Sequence, residues 1–170
     1  MAKYTHIAAF QFHSELDLGE IEPIRNRNFV KPYGGFWLSI DEDWERWCSS
    51  EEPEWLEGHR YSITLKDDAR ILRVDSASAL ESLPKQIPEM FQGMPAELLS
   101  FVLEQDTFLD FEEIAKHYDV LEVYAGSGEG LYSALYGWDC DSAIVLNPAV
   151  ILKVEEIERY EPDDSDWNDD

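Results

Sequence analysis

A chain of 170 residues, 44% of them hydrophobic, can bury a core and is too apolar to be disordered by composition. Its 37 acidic residues against 13 basic ones give a net charge of -24, which disfavours direct contact with nucleic-acid backbone or an anionic membrane and favours a basic partner. No stretch approaches the roughly 18 consecutive apolar residues of a membrane span.

Lys3, His6, Gln11 and His13 interrupt the apolar residues after Met1, so no leader is read there and a cytoplasmic protein is expected. Tyr4 to Phe12 (YTHIAAFQF) reads as the first strand, and a polar stretch to Asn28 follows. Pro32 and the Gly34-Gly35 pair predict a tight loop, and Phe36 to Ile40 a short strand. Asp41 is placed to cap a helix over Glu42 to Ser49, whose acidic first turn suits the positive end of a helix dipole. Trp44 and Trp47, three residues apart, share one face of that helix. Glu51 to Gly58 reads as an acidic loop.

Tyr61 to Leu65 alternates as a strand does, Lys66-Asp67-Asp68 turns, and Ile71 to Val74 forms a further strand. Ser76 or Ser78 is set to cap a short helix reaching Leu83, and the proline-punctuated segment after it resembles an insertion. Helices are expected over Ala96 to Leu103 and Phe111 to Tyr118, the second leading into a strand over Val120 to Tyr124. Gly126 to Gly130 is a glycine-rich loop without the Lys-Ser/Thr ending of a phosphate-binding loop. Ala143 to Leu146 and Val150 to Val154 read as buried strands separated by Asn147-Pro148. Residues 1–160 thus form one domain, and 161–170 an acidic, mobile tail. Cys48 and Cys140 lie in no metal-binding or redox spacing, so two buried thiols are expected. His13, His59 and His117 have no partner at metal-ligand spacing, so no metal site is expected.

KPYGGFWLSIDEDWERW, SITLKDDARILRVDS, EEIAKHYDVLEV and DSAIVLNPAVI, taken in this order, resemble the ADP-ribosyltransferase-like superfamily. The resemblance implies an α+β fold of two packed, mostly antiparallel sheets with peripheral helices, and NAD as cofactor where the site is active. It implies that His6 on the first strand contacts the cofactor, with Trp37 and Ser39 near the second motif, where the usual tyrosine is absent. The family's catalytic glutamate falls at the register of Ser142, with Asp141 just before it and Asp139 three before. A serine cannot supply the charge that stabilises an oxocarbenium-like state.

The same residues have plainer readings: His6 as a satisfied strand histidine, Asp139 and Asp141 as a solvated turn, and Trp37, Trp44, Trp47 and Trp138 as core aromatics instead of a stacking cleft. Two functions are therefore carried forward. One is a catalytically degenerate scaffold whose acidic surface binds a basic, possibly nucleic-acid-binding, protein as inhibitor or regulator, as a phage or mobile-element inhibitor would. The other is an active NAD-dependent transferase using His6 and a carboxylate at Asp141 or Asp139.

Overall fold

The structure is a computed structural model, and it describes residues 2–9, 11, 21–128 and 130–161. Phe10, Phe12, His13, Glu129 and the tail from residue 162 on lie outside the described residues. The strands are β1 Tyr4–Ala8, β2 Phe36–Ile40, β3 His59–Leu65, β4 Ile71–Val74, β5 Val120–Tyr124, β6 Asp141–Val145 and β7 Ile151–Ile157. The helices are α1 Asp43–Glu51, α2 Ala96–Gln105, α3 Phe111–His117 and the single turn α4 Leu131–Ala134. The fold is α+β.

The expected pair of sheets is one sheet of seven strands in the order β4-β5-β6-β2-β1-β3-β7. The reason is β2, which pairs with β6 on one edge and β1 on the other and so joins the two halves. Neighbouring strands are antiparallel except β4 and β5, which run parallel. The β1–β2 join is short, only Tyr4↔Ile40 and Thr5↔Ser39. Across it the sheet curls on itself. In a flat sheet β1 and β5 would stand about 14 Å apart, yet the Tyr4 hydroxyl donates to the Glu122 carboxylate on β5.

Two cores result. Inside the curl, Tyr4, Leu38, Ile40, Tyr61 and Ile63 meet Val120, Ala143 and Val145. On the outer face of β4, β5 and β6, Leu121, Val123 and Ile144 pack under Phe111 and Ile114 of α3, with Leu131, Leu135 and Trp138. Both faces of β5 and β6 are therefore covered, which explains why their sequences read as unbroken apolar runs instead of alternating ones. The run after Asn147-Pro148 differs from its expectation. Among the described residues β7 is an edge strand paired only to β3, and it is half exposed along its length.

Local chemistry sets the ends of the elements. Gly34 and Gly35 both adopt positive φ, and a Cβ on Gly35 would stand 2.7 Å from the Ile144 side chain, so the turn into β2 requires glycine. The Asp110 side chain caps α3 by accepting from the Glu113 amide at 3.0 Å. Asp41 does not cap α1 as expected. Asp41 and Glu42 are both left-handed (φ 49 and 66), so the helix starts at Asp43, and the Trp44 amide donates to Ser39 Oγ at 3.1 Å. Two consecutive non-glycine residues in that region are strained. Lys3 holds them, since its amide donates to Asp41 Oδ1 at 2.8 Å and its ammonium to Glu42 at 2.5 Å.

Elsewhere the acidic loop contains a 3-10 turn at Pro53–Leu56, and the expected helix to Leu83 is a 3-10 turn at Ala77–Leu80. The glycine-rich loop leads into α4, a helical turn too short to read from the sequence.

Candidate binding cleft

The turn of α1 about its axis decides the site. Glu45 and Cys48 are its buried residues, whereas Trp44 and Trp47 are only partly covered. The helix is thus rotated from the orientation in which the two indoles would enter a core. Glu45 lies beneath the sheet with no exposed surface. Its Oε1 accepts from Thr5 Oγ1 at 2.5 Å and from Arg60 Nε at 3.2 Å, and its Oε2 has no hydrogen-bond partner among the described residues. Arg60 is itself buried and also donates to Glu42 Oε1 at 2.5 Å. A buried carboxylate survives only when paired and hydrogen-bonded, and here one of its two oxygens is served.

Beside Glu45 is a cavity of about 270 Å³ whose lining includes Thr5, His6, Trp37, Ser39, Trp44 and Ser142. Register explains the gathering. Thr5 is opposite Ser39 and Ser39 opposite Ser142, so three hydroxyl residues form one row across β1, β2 and β6 on a single face. Lys31, Asp139 and Cys140 complete its rim. The first and sixth strands are not adjacent, since β2 lies between them.

His6 sits where β1 and β2 part. Its Nδ1 is 2.8 Å from the Trp37 carbonyl and its ring 4.3 Å from that of Phe36. A carbonyl only accepts, so Nδ1 carries the proton. Burial lowers the His6 pKa, against the pull of the Trp37 carbonyl and Glu45, and the ring is neutral at pH 7. The Cys140 thiol is pushed up to about 12 by burial and Asp43, and Cys48 to about 12 by burial and Glu45. Neither is a thiolate nucleophile near neutrality, and both cysteines are free and buried.

The other residues separate. Asp139 lines the first cavity and also a second one of about 410 Å³, but Asp141 lines only the second, with Asp43, Arg46 and Trp47. Asp141 Oδ1 accepts from the Gly126 and Ser127 amides at 2.9 and 3.0 Å, and its Oδ2 accepts from Ser127 Oγ at 2.6 Å. That carboxylate closes the loop after β5. Trp138 does not line a cleft: it is 1% exposed, between Trp37 and Phe111 in the outer core. Among the described residues no three His, Cys, Asp or Glu side chains are grouped to hold a metal ion, and no helix is long and apolar enough to cross a membrane.

The described lining suits a cation better than the dianionic pyrophosphate of NAD, which needs N–H donors or unpaired bases. Lys31 stands 4.0 Å from Asp139 and Arg46 2.9 Å from Asp43, while Glu45, Asp139, Asp43 and Asp141 line the two cavities. The first cavity also falls below the usual range of roughly 300–1,000 Å³ for small-molecule sites.

Sequence reasoning missed Glu45, Thr5 and Lys31. The available signal was the i, i+3 pair Glu45 and Cys48, which competes with Trp44 and Trp47 for the inner face of the same helix; nothing local says which pair wins. No family model, curated protein or solved structure matches the chain.

Proposed function

We propose that the chain has an ADP-ribosyltransferase-like fold without the transferase chemistry, and that its acidic cleft binds a basic protein partner as an inhibitor or regulator. The engagement of Asp141 carries this reading. It is the carboxylate next to the register of the family's glutamate, and both of its oxygens are held by Gly126 and Ser127. Ser142, at that register, brings a hydroxyl to the cavity in place of a charge. A net charge of -24 then steers a basic protein to the surface and raises its association rate. Affinity capture tests the reading. Basic proteins are expected to be retained at about 50 mM salt and released by about 0.5 M, because exposed charge pairs are screened over that range. Retention of no basic protein at low salt, or retention indifferent to salt, overturns it.

A second reading, an active NAD-dependent transferase, is favoured by one observation: the buried Glu45 carboxylate beside His6, with an oxygen that has no partner among the described residues. Label transfer from NAD separates the two. Transfer by the wild type that is lost in Glu45→Gln and kept in Asp141→Ala would favour the enzyme.

A further inference from the structure

Trp44, Trp47 and Trp55 form a cluster of their own. Their ring centroids stand 5.2, 5.5 and 5.9 Å apart, and the first two pairs are stacked. None belongs to either core or packs against one, and Trp55 is half exposed. Tryptophan ordinarily provides core or interface area, so three indoles gathered outside both cores mark a surface built for contact.

Charge identifies what the surface fits. Glu51, Glu52, Glu54 and Glu57 surround Trp55 in sequence, and the nearby Arg46 is already paired with Asp43. Glu52 sits against Glu54, whose carboxyl raises the Glu52 pKa, so the two acids crowd each other and a cation would relieve them. An anionic lipid surface or nucleic-acid phosphate is repelled here, and a second copy of a chain at -24 is repelled too. A guanidinium meets both demands, because it stacks flat on an indole and donates in pairs to carboxylates. An ammonium is not planar: it meets an indole only as a point charge and donates to carboxylates without the paired fork.

We infer that the indole cluster of α1 and the Pro53–Leu56 turn, flanked in sequence by Glu52 and Glu54, is the docking surface for an arginine-bearing segment of a basic protein. This rests on the proposed function and names the contact through which the partner is held. Trp44 also lines the cavity that holds Glu45, and Trp47 the second cavity, so a segment seated on the indoles runs directly into the acidic cleft.

The test uses the full chain, titrated with an arginine–glycine repeat peptide, its lysine–glycine counterpart and oligothymidylate, read by calorimetry and tryptophan fluorescence. The arginine peptide is expected to bind more tightly than the lysine peptide and to shift the indole emission. Its affinity is expected to fall about tenfold or more in Trp55→Ala, as for an interface anchor. Trp55→Ala is expected to melt within about 2 °C of the wild type, since an exposed residue outside the cores is removed. Should that variant fail to fold, the double change Glu52→Gln and Glu54→Gln carries the same expectation. Arginine-peptide binding that is equal in wild type and variants overturns the docking surface and leaves the basic-partner reading standing. Failure of both basic peptides to bind at low salt removes both. Tighter binding of oligothymidylate than of either peptide also overturns the inference, in favour of base stacking.

Discussion

The two ends of the antiparallel β5–β6 pair and the face carried by α1 contain the same residue types, used in opposite ways. At the first, acids and aromatics are consumed by folding. Asp119 accepts from the Arg70 amide, two Arg70 guanidinium nitrogens and Asn147, each at 2.9 Å, Asp141 is tied to its loop, and Trp138 is sealed in the outer core. At the second, Glu45 keeps an oxygen without a partner among the described residues, Glu52 crowds Glu54, and three indoles stack outside both cores. The other buried side-chain atom without a partner among the described residues, Trp138 Nε1, is sealed in the outer core, so the hydrogen-bonding and stacking capacity a ligand can reach lies with α1. Asp141, the carboxylate next to the resemblance's catalytic register, is not one of those left available.

The comparison can be broken by substituting like residues in the two regions. Trp138→Ala should cost the most, about 4 kcal/mol, because it empties a buried site in a packed core; denaturant titration would measure it. Asp119→Ala should cost roughly 3 kcal/mol, since four donors lose a charged acceptor. The pH dependence of Asp119 has a fixed sign. Arg70 holds its carboxyl well below the usual range, with Asn147 assisting and burial opposing. Its contribution is therefore present above the unfolded pKa of about 3.9 and is lost as pH falls toward the lower folded value. Asp119→Asn should flatten the stability profile in that acidic window, and an unchanged profile would remove Asp119 from the account. Asp141→Ala should cost about 1–2 kcal/mol by loosening the loop after β5, read by the same denaturant titration. Trp55→Ala should cost less than about 0.5 kcal/mol, the smallest of the four. A cost near that of Trp138 would erase the distinction between the regions.

Much of this fold could be read from the chain. β4, β5 and α3 fall where short apolar runs and helical spacing place them, because those signals are local. The Gly34-Gly35 turn was equally plain. What escaped is tertiary. That β2 joins two halves into one curled sheet depends on pairing along both its edges, and that β7 is the edge strand among the described residues depends on its pairing with β3 alone among them. The site was legible in part: His6, Trp37, Ser39, Ser142 and Asp139 share one cavity. Glu45 was hidden, since an acid within an acidic segment gives no sign that it will be buried against Thr5 and Arg60. Trp44 and Trp47 pointed the other way, as aromatic spacing on a helix usually marks its inner face.

The proposed function requires that the cleft serve a basic group and not a dinucleotide. Calorimetric titration of NAD into the full chain tests this most directly. No saturable heat is predicted up to about 1 mM, where binding is worth only about 4 kcal/mol. Micromolar binding that disappears in Glu45→Gln and His6→Ala would contradict the claim and identify the cavity as a working cofactor site.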